Sequence, residues 1–121
     1  MASELRVNTL KDAAGNNSIA TSFVANGSAK AWINFNGTGT VAIRDSLNIA
    51  SLLDAGTGLY NCAISSDFTN ANFSTTGAAG ENDDSGGNRS LGLRAKTSGT
   101  QNVRGFRDGV TADDMAEMCF Q

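Results

Sequence analysis

The chain has 121 residues, 14 of them glycine and none proline or histidine, with only 17% charged residues and a formal net charge of −3. That length supports one domain with its own core rather than two. Nine Lys and Arg against twelve Asp and Glu, with no basic cluster, exclude a stripe that could neutralise a row of phosphates, so no nucleic-acid partner is expected.

The first eleven residues place Leu5, Val7 and Leu10 between polar neighbours, the alternation of one short strand. The Gly/Asn-rich run Ala14-Gly15-Asn16-Asn17-Ser18 then separates it from the rest. A lone strand cannot bury its apolar face by itself. Residues 1–18 are therefore expected to be an arm that pairs with sister subunits or another protein, the alternative being an edge strand or a loose tail. Residues 19–25 read as a weak strand or connector before Asn26-Gly27-Ser28, and helix has little compositional support.

Residues 29–46 carry the clearest local signal, two alternating runs flanking Asn36-Gly37. They predict a β-hairpin with Ala31, Ile33 and Phe35 on one face, and an Asn-Gly turn whose residues tolerate positive φ. Trp32, the only tryptophan, falls on the opposite face. A strand apolar on both sides is expected to be buried on both, against a core and against another subunit. A sugar-stacking platform is the sharper alternative for Trp32.

Leu47, Ile49 and Leu52-Leu53 continue the strand pattern into the turn formers Asp54-Ala55-Gly56-Thr57-Gly58, where another hairpin corner is expected. Beyond it Tyr60, Cys62 and Ile64 form the core side of a strand. Phe68 and Phe73 bracket a polar segment. From Thr75 to Ser90 no periodicity survives, which predicts a long exposed loop whose polar tip includes Asn82, Asp83, Asp84 and Asn88. The spacing there is not that of a calcium loop, so a solvated acidic tip is expected rather than a metal site. Leu91–Thr97 alternates as a strand with one basic side, Ser98-Gly99-Thr100 turns the chain, Val103–Arg107 forms another strand, and Asp108-Gly109 marks a further tight turn. Met115–Phe120 closes the chain as an apolar strand, with a helical turn capped by Asp113-Asp114 as the alternative.

The chemistry-bearing residues are few. Without histidine most catalytic triads fall away. Asp45, Asp54, Asp67, Asp83 and Asp84 remain formal candidates for a carboxylate pair, but they occupy turn positions where Asp bonds the backbone. Gly37, Gly39, Gly56 and Gly58 have no following helix and no Lys-Ser/Thr, so they read as turn glycines rather than a phosphate loop. Cys62 and Cys119 are expected to be separate, inert, buried thiols, bridged only if their strands are neighbours. The expectation is no enzyme, no cofactor and no metal. No apolar run approaches the ~20 residues that span a bilayer.

The run A-K-A-W-I-N-F-N-G-T-G-T-V-A-I-R-D-S, continuing L-N-I-A-S-L-L-D-A-G-T-G-L-Y-N-C-A-I, resembles a module of phage tail-fibre and related virion proteins, notably from phages of marine and freshwater bacteria including cyanobacteria. The opening S-E-L-R-V-N-T-L is similar to the start of many fibre proteins, and F-T-N-A-N-F is similar to the module's M-x-x-A-N-Y segment. The resemblance implies a structural virion protein of the tail, made in the host cytoplasm and working as a homotrimer. Leu5, Val7 and Leu10 would belong to an arm that attaches to tail or baseplate proteins. Asn82, Asp83, Asp84 and Asn88 would face the host surface and its polysaccharide, and Trp32, Ile33, Phe35 and Tyr60 would form the core or a subunit interface. The alternatives are a connector, baseplate or decoration protein with no receptor role, and a monomeric carbohydrate-binding module around Trp32 and Tyr60. The fold expected is all-β, an antiparallel sandwich or short barrel of about seven to eight strands over residues 19–121, with an extended N-terminal arm.

Overall fold

The computed structural model describes residues 3–81 and 87–121. Among these the chain forms eleven strands and one short helix, and every strand pairing is antiparallel. The fold is all-β. Nine strands build a two-sheet sandwich, more than the seven or eight expected, because short segments without amphipathic signal also pair.

One sheet has the order β4-β3-β11-β7, formed by Ala42–Leu47, Trp32–Asn36, Glu117–Phe120 and Gly77–Gly80. The other runs β5-β6-β9-β8, formed by Ile49–Gly56, Leu59–Ile64, Thr100–Arg107 and Arg89–Thr97, with the two-residue β10 (Thr111–Ala112) pairing the end of β9. The central strands β3, β6, β9 and β11 alternate cleanly between buried and partly exposed residues. Ile33 and Phe35 of β3 and Met118 and Phe120 of β11 face Tyr60 and Cys62 of β6 and Val103 of β9 across the interior, with Met115 closing one end. Phe35 and Tyr60 meet edge to face, ring centroids 5.0 Å apart, and so tie the two sheets together. Full burial of each such side chain contributes roughly 1.5–3 kcal/mol.

The turns use the residues the sequence offered, with one exception. Gly58 (φ +67°) closes the β5–β6 hairpin, Ser98-Gly99 joins β8 to β9, and Asp108-Gly109, both at positive φ, carry the chain from β9 towards β10. Between β3 and β4 it is Gly39 (φ +60°), not Asn36-Gly37, that takes the left-handed conformation. Gly37 is small for another reason: a Cβ there would lie 2.5 Å from the Tyr60 hydroxyl and 2.9 Å from the Met115 carbonyl.

The N-terminal segment departs from expectation. Leu5 and Val7 lie outside any strand, and only Thr9–Lys11 (β1) is paired, with Ser18–Ala20 (β2). This two-stranded sheet spans the boundary expected after residue 18. Asp12 closes its loop by accepting from the Asn17 side chain and from the backbone N–H of Asn16 and Asn17, and the Asn17 hydrogen bond leads in holding its carboxyl below the usual range. Of residues 19–25, expected as a weak strand or connector, Ile19 and Ala20 belong to β2 and the rest to a helix, α1 (Thr21–Gly27). Its seven residues carry no charge, its first turn has no side-chain cap, and none of them is buried. The β1–β2 sheet has no strand pairing with the sandwich.

The expected long loop from 75 to 90 is also shorter in the structure. Gly77–Gly80 pairs along β11 as β7, and β8 begins at Arg89. Glycine and alanine give no periodic signal, so a strand held by its backbone ladder alone leaves no trace in the pattern. The terminal segment is a strand, as expected, and its alternative helical turn is absent.

Candidate functional site

The sandwich has a polar knot at one end, and it is architectural. Asp113, Asp114 and Met115 run between β10 and β11 across three glycines. The Gly58 N–H donates to Asp114 Oδ1 (2.6 Å), the Gly105 N–H to the Gly58 carbonyl (2.8 Å), and the Gly37 N–H to the Met115 carbonyl (2.8 Å). The Tyr60 hydroxyl lies 2.8 Å from both the Gly37 carbonyl and Asp114 Oδ1, so its single proton serves one acceptor at a time. Burial first, and then the Asp114 carboxylate, push the Tyr60 phenol well above its ordinary pKa. A buried tyrosine held this way fixes loops and offers no surface for a ligand. The pairing of Trp32 with Tyr60 as a sugar platform is thereby overturned.

The expected core or interface residues separate into two groups. Ile33, Phe35 and Tyr60 are wholly buried within one chain and cannot face a second subunit. Trp32 lies on the outer face of the β4-β3-β11-β7 sheet and is half-buried, beside Asn34 and Asn36. The strand is therefore not buried on both faces, since its outer face alternates Trp with Asn.

Trp32 borders a groove of about 510 Å³ whose other walls include Asn34, Thr76, Ala78, Cys119 and Gln121. Strand register assembles it. Asn34 pairs with Asp45 on one side and Cys119 on the other, and Cys119 pairs with Ala78, so these residues form one row across the outer face. The polar edge is held in place: Asn34 Nδ2 donates to Glu117 Oε1 (2.7 Å), Arg44 Nη1 donates to Asn34 Oδ1 (3.3 Å), and the same nitrogen lies 3.3 Å from Glu117 Oε2. Arg44 Nη2 also donates to the Ala116 carbonyl (2.6 Å). A second cleft of about 480 Å³ lies where residues 26–31 meet the sandwich, with Ile49, Ile64, Phe68, Phe73 and Phe120 among its walls. Phe68 and Phe73 meet edge to face there, and the Lys96 ammonium sits 4.6 Å from the Phe73 ring centroid.

The remaining site residues are placed unevenly. Leu5, Val7 and Leu10 are exposed, Leu5 at 79%, and they share the N-terminal segment with exposed Ile19, Phe23 and Val24. Asn82, Asp83 and Asp84 lie outside the described residues. Asn88 is exposed and its carbonyl accepts from the Asp108 N–H (2.8 Å). Cys62 faces the core and Cys119 the opposite sheet's outer side; both are free, their strands are not neighbours, and burial pushes the Cys62 thiol up to about 11. Among the described residues, no group of three His, Cys, Asp or Glu side chains gathers as a metal site would require. Sequence reasoning missed Asn34, Arg44, Glu117 and Ala78, which converge only through pairings far apart in the chain. The alternation of Asn34 and Asn36 with buried Ile33 and Phe35 was the one signal available.

Comparison of the chain with protein-family models, with curated proteins and with solved structures gives no match.

Proposed function

We propose that the chain is a structural component of a phage tail, of the tail-fibre type. In this reading it docks to tail or baseplate proteins through its N-terminal segment and holds the sandwich outward, with the stretch 76–88 towards the host surface. The copies associate as a homotrimer. The observation that carries the reading is that the sandwich has a buried core whereas the N-terminal segment has none. The sandwich closes over its own core while also exposing Ile43, Leu47, Leu53, Leu93 and Val110, whereas residues 3–28 bury no side chain and display Leu5, Leu10, Ile19 and Phe23. An isolated two-stranded sheet and a seven-residue helix are marginal alone, so such a segment gains its stability from a partner. The resemblance of residues 29–64 to fibre modules supplies the kind of partner, and self-association buries the same side chains at a shared axis.

The test is the native mass of the full chain and of residues 29–121, by light scattering after size exclusion. A trimer for the full chain and a folded monomer for the truncated one are expected. A full chain that stays monomeric at all concentrations removes the trimer and leaves the exposed apolar side chains to a different protein alone.

A further inference from the structure

We propose that the groove beside Trp32 is a binding site for a neutral saccharide, with one sugar ring against the indole and its hydroxyls on Asn34, Thr76 and Gln121. The proposal rests on the attachment reading for the source of the saccharide, a host-surface glycan, and on the groove alone for its chemistry.

Three features of the groove select this ligand class. The first is the indole itself. A pyranose presents an apolar C–H face that packs on an aromatic ring, and Trp32 is the sole tryptophan, half-buried as a wall rather than sealed in the core. The second is a set of polar groups. Asn34, held from outside the groove by Glu117 and Arg44 through contacts of 2.7–3.3 Å, keeps a second amide N–H, and Thr76 and Gln121 add a hydroxyl and a further amide to the lining. Vicinal sugar hydroxyls, each both donor and acceptor, match such groups, and a side chain already held in place, as Asn34 is, loses little freedom on binding. The third is charge. Among the described residues, no Lys, Arg, Asp or Glu side chain lines the groove, and just beyond it the Arg44 and Glu117 charges offset each other. An anionic ligand is thus disfavoured and a neutral one accepted.

The shape agrees with the chemistry. Ala78 on β7, exposed and paired with Cys119, lines the groove across β11 from Trp32 and keeps it open where a larger residue would fill it. The volume of about 510 Å³ falls within the range of small-ligand sites. The groove also adjoins the first residues of the stretch 76–88, since Thr76, Gly77 and Ala78 form one of its sides.

The experiment titrates the full chain with cellotetraose, maltotetraose and mannotetraose, and with polygalacturonate as an anionic control, while following Trp32 emission. A saturable shift with at least one neutral probe is expected, and none with polygalacturonate. Ala78→Phe, which fills the groove and leaves Trp32 as the reporter, is expected to abolish the shift. Asn34→Ala is expected to weaken binding at least tenfold while circular dichroism stays that of the parent. If no neutral probe moves the emission at millimolar concentration, or if Ala78→Phe binds as the parent does, the site is overturned. Because the titration uses the isolated chain, either result leaves the attachment reading to stand or fall on its own test.

Discussion

Tyr60 shows how one residue can be legible in its position and illegible in its role. The alternation Tyr60-Cys62-Ile64 marks a core-facing strand, and all three are buried. The hydroxyl's partners, Gly37 and Asp114, lie 23 and 54 residues away, and no local pattern announces them. Tyr60→Phe leaves the packing with Phe35 but strips a proton donor from a buried knot. It is expected to lower the unfolding free energy by about 1–3 kcal/mol in urea titration. The pH dependence has a definite sign. The folded-state pKa is raised, so the contribution is fully present below the ordinary tyrosine pKa of about 10. Above that the unfolded chain ionises first and stability falls, a decline that Tyr60→Phe should lack. Gly37→Ala puts a Cβ against that same hydroxyl and the Met115 carbonyl, and an overpacking loss of about 1–3 kcal/mol is expected in the same titration. The thiols give a further check. Cys119, half-exposed on the outer face, is expected to react with a disulfide reagent in the folded protein, and Cys62 only after denaturant is added.

At the scale of elements, the sequence was readable wherever an amphipathic period coincided with a turn residue. The β5–β6 and β8–β9 hairpins and the terminal strand all satisfy that condition. Where side chains carry no period the reading failed. Gly77–Gly80 is a strand because the β11 backbone is there to pair with it, and Thr21–Gly27 is a helix despite lacking a side-chain cap and charged residues. The Asn-Gly signal located the right hairpin but misplaced the left-handed residue, since Gly37 is reserved for close contact and Gly39 makes the turn. The candidate groove was partly legible. Trp32 stood out, whereas its neighbours in the groove are brought in by register from β7 and β11. Because the sandwich core is built entirely from residues after Ala31, a chain of residues 29–121 is expected to unfold cooperatively. Its melting temperature should lie within a few degrees of the full chain's when the latter is held dilute. A broad, non-cooperative transition would mean that β1, β2 and α1 are part of the folding unit.

In the whole molecule, a sandwich with its own core is joined to a segment that leaves its apolar side chains uncovered. The sandwich has a core of its own, while exposed Leu5, Leu10, Ile19 and Phe23 belong to a segment with no buried side chain and are what a partner would bury. That asymmetry supports the proposed attachment role in a virion tail. The most direct measurement is gold labelling of density-purified phage particles with antibody raised against residues 29–121, read by electron microscopy. The account predicts label on the tail of intact particles, outward of the point of attachment. Particles that carry no label, with the chain recovered only from the soluble fraction of the lysate, would contradict it.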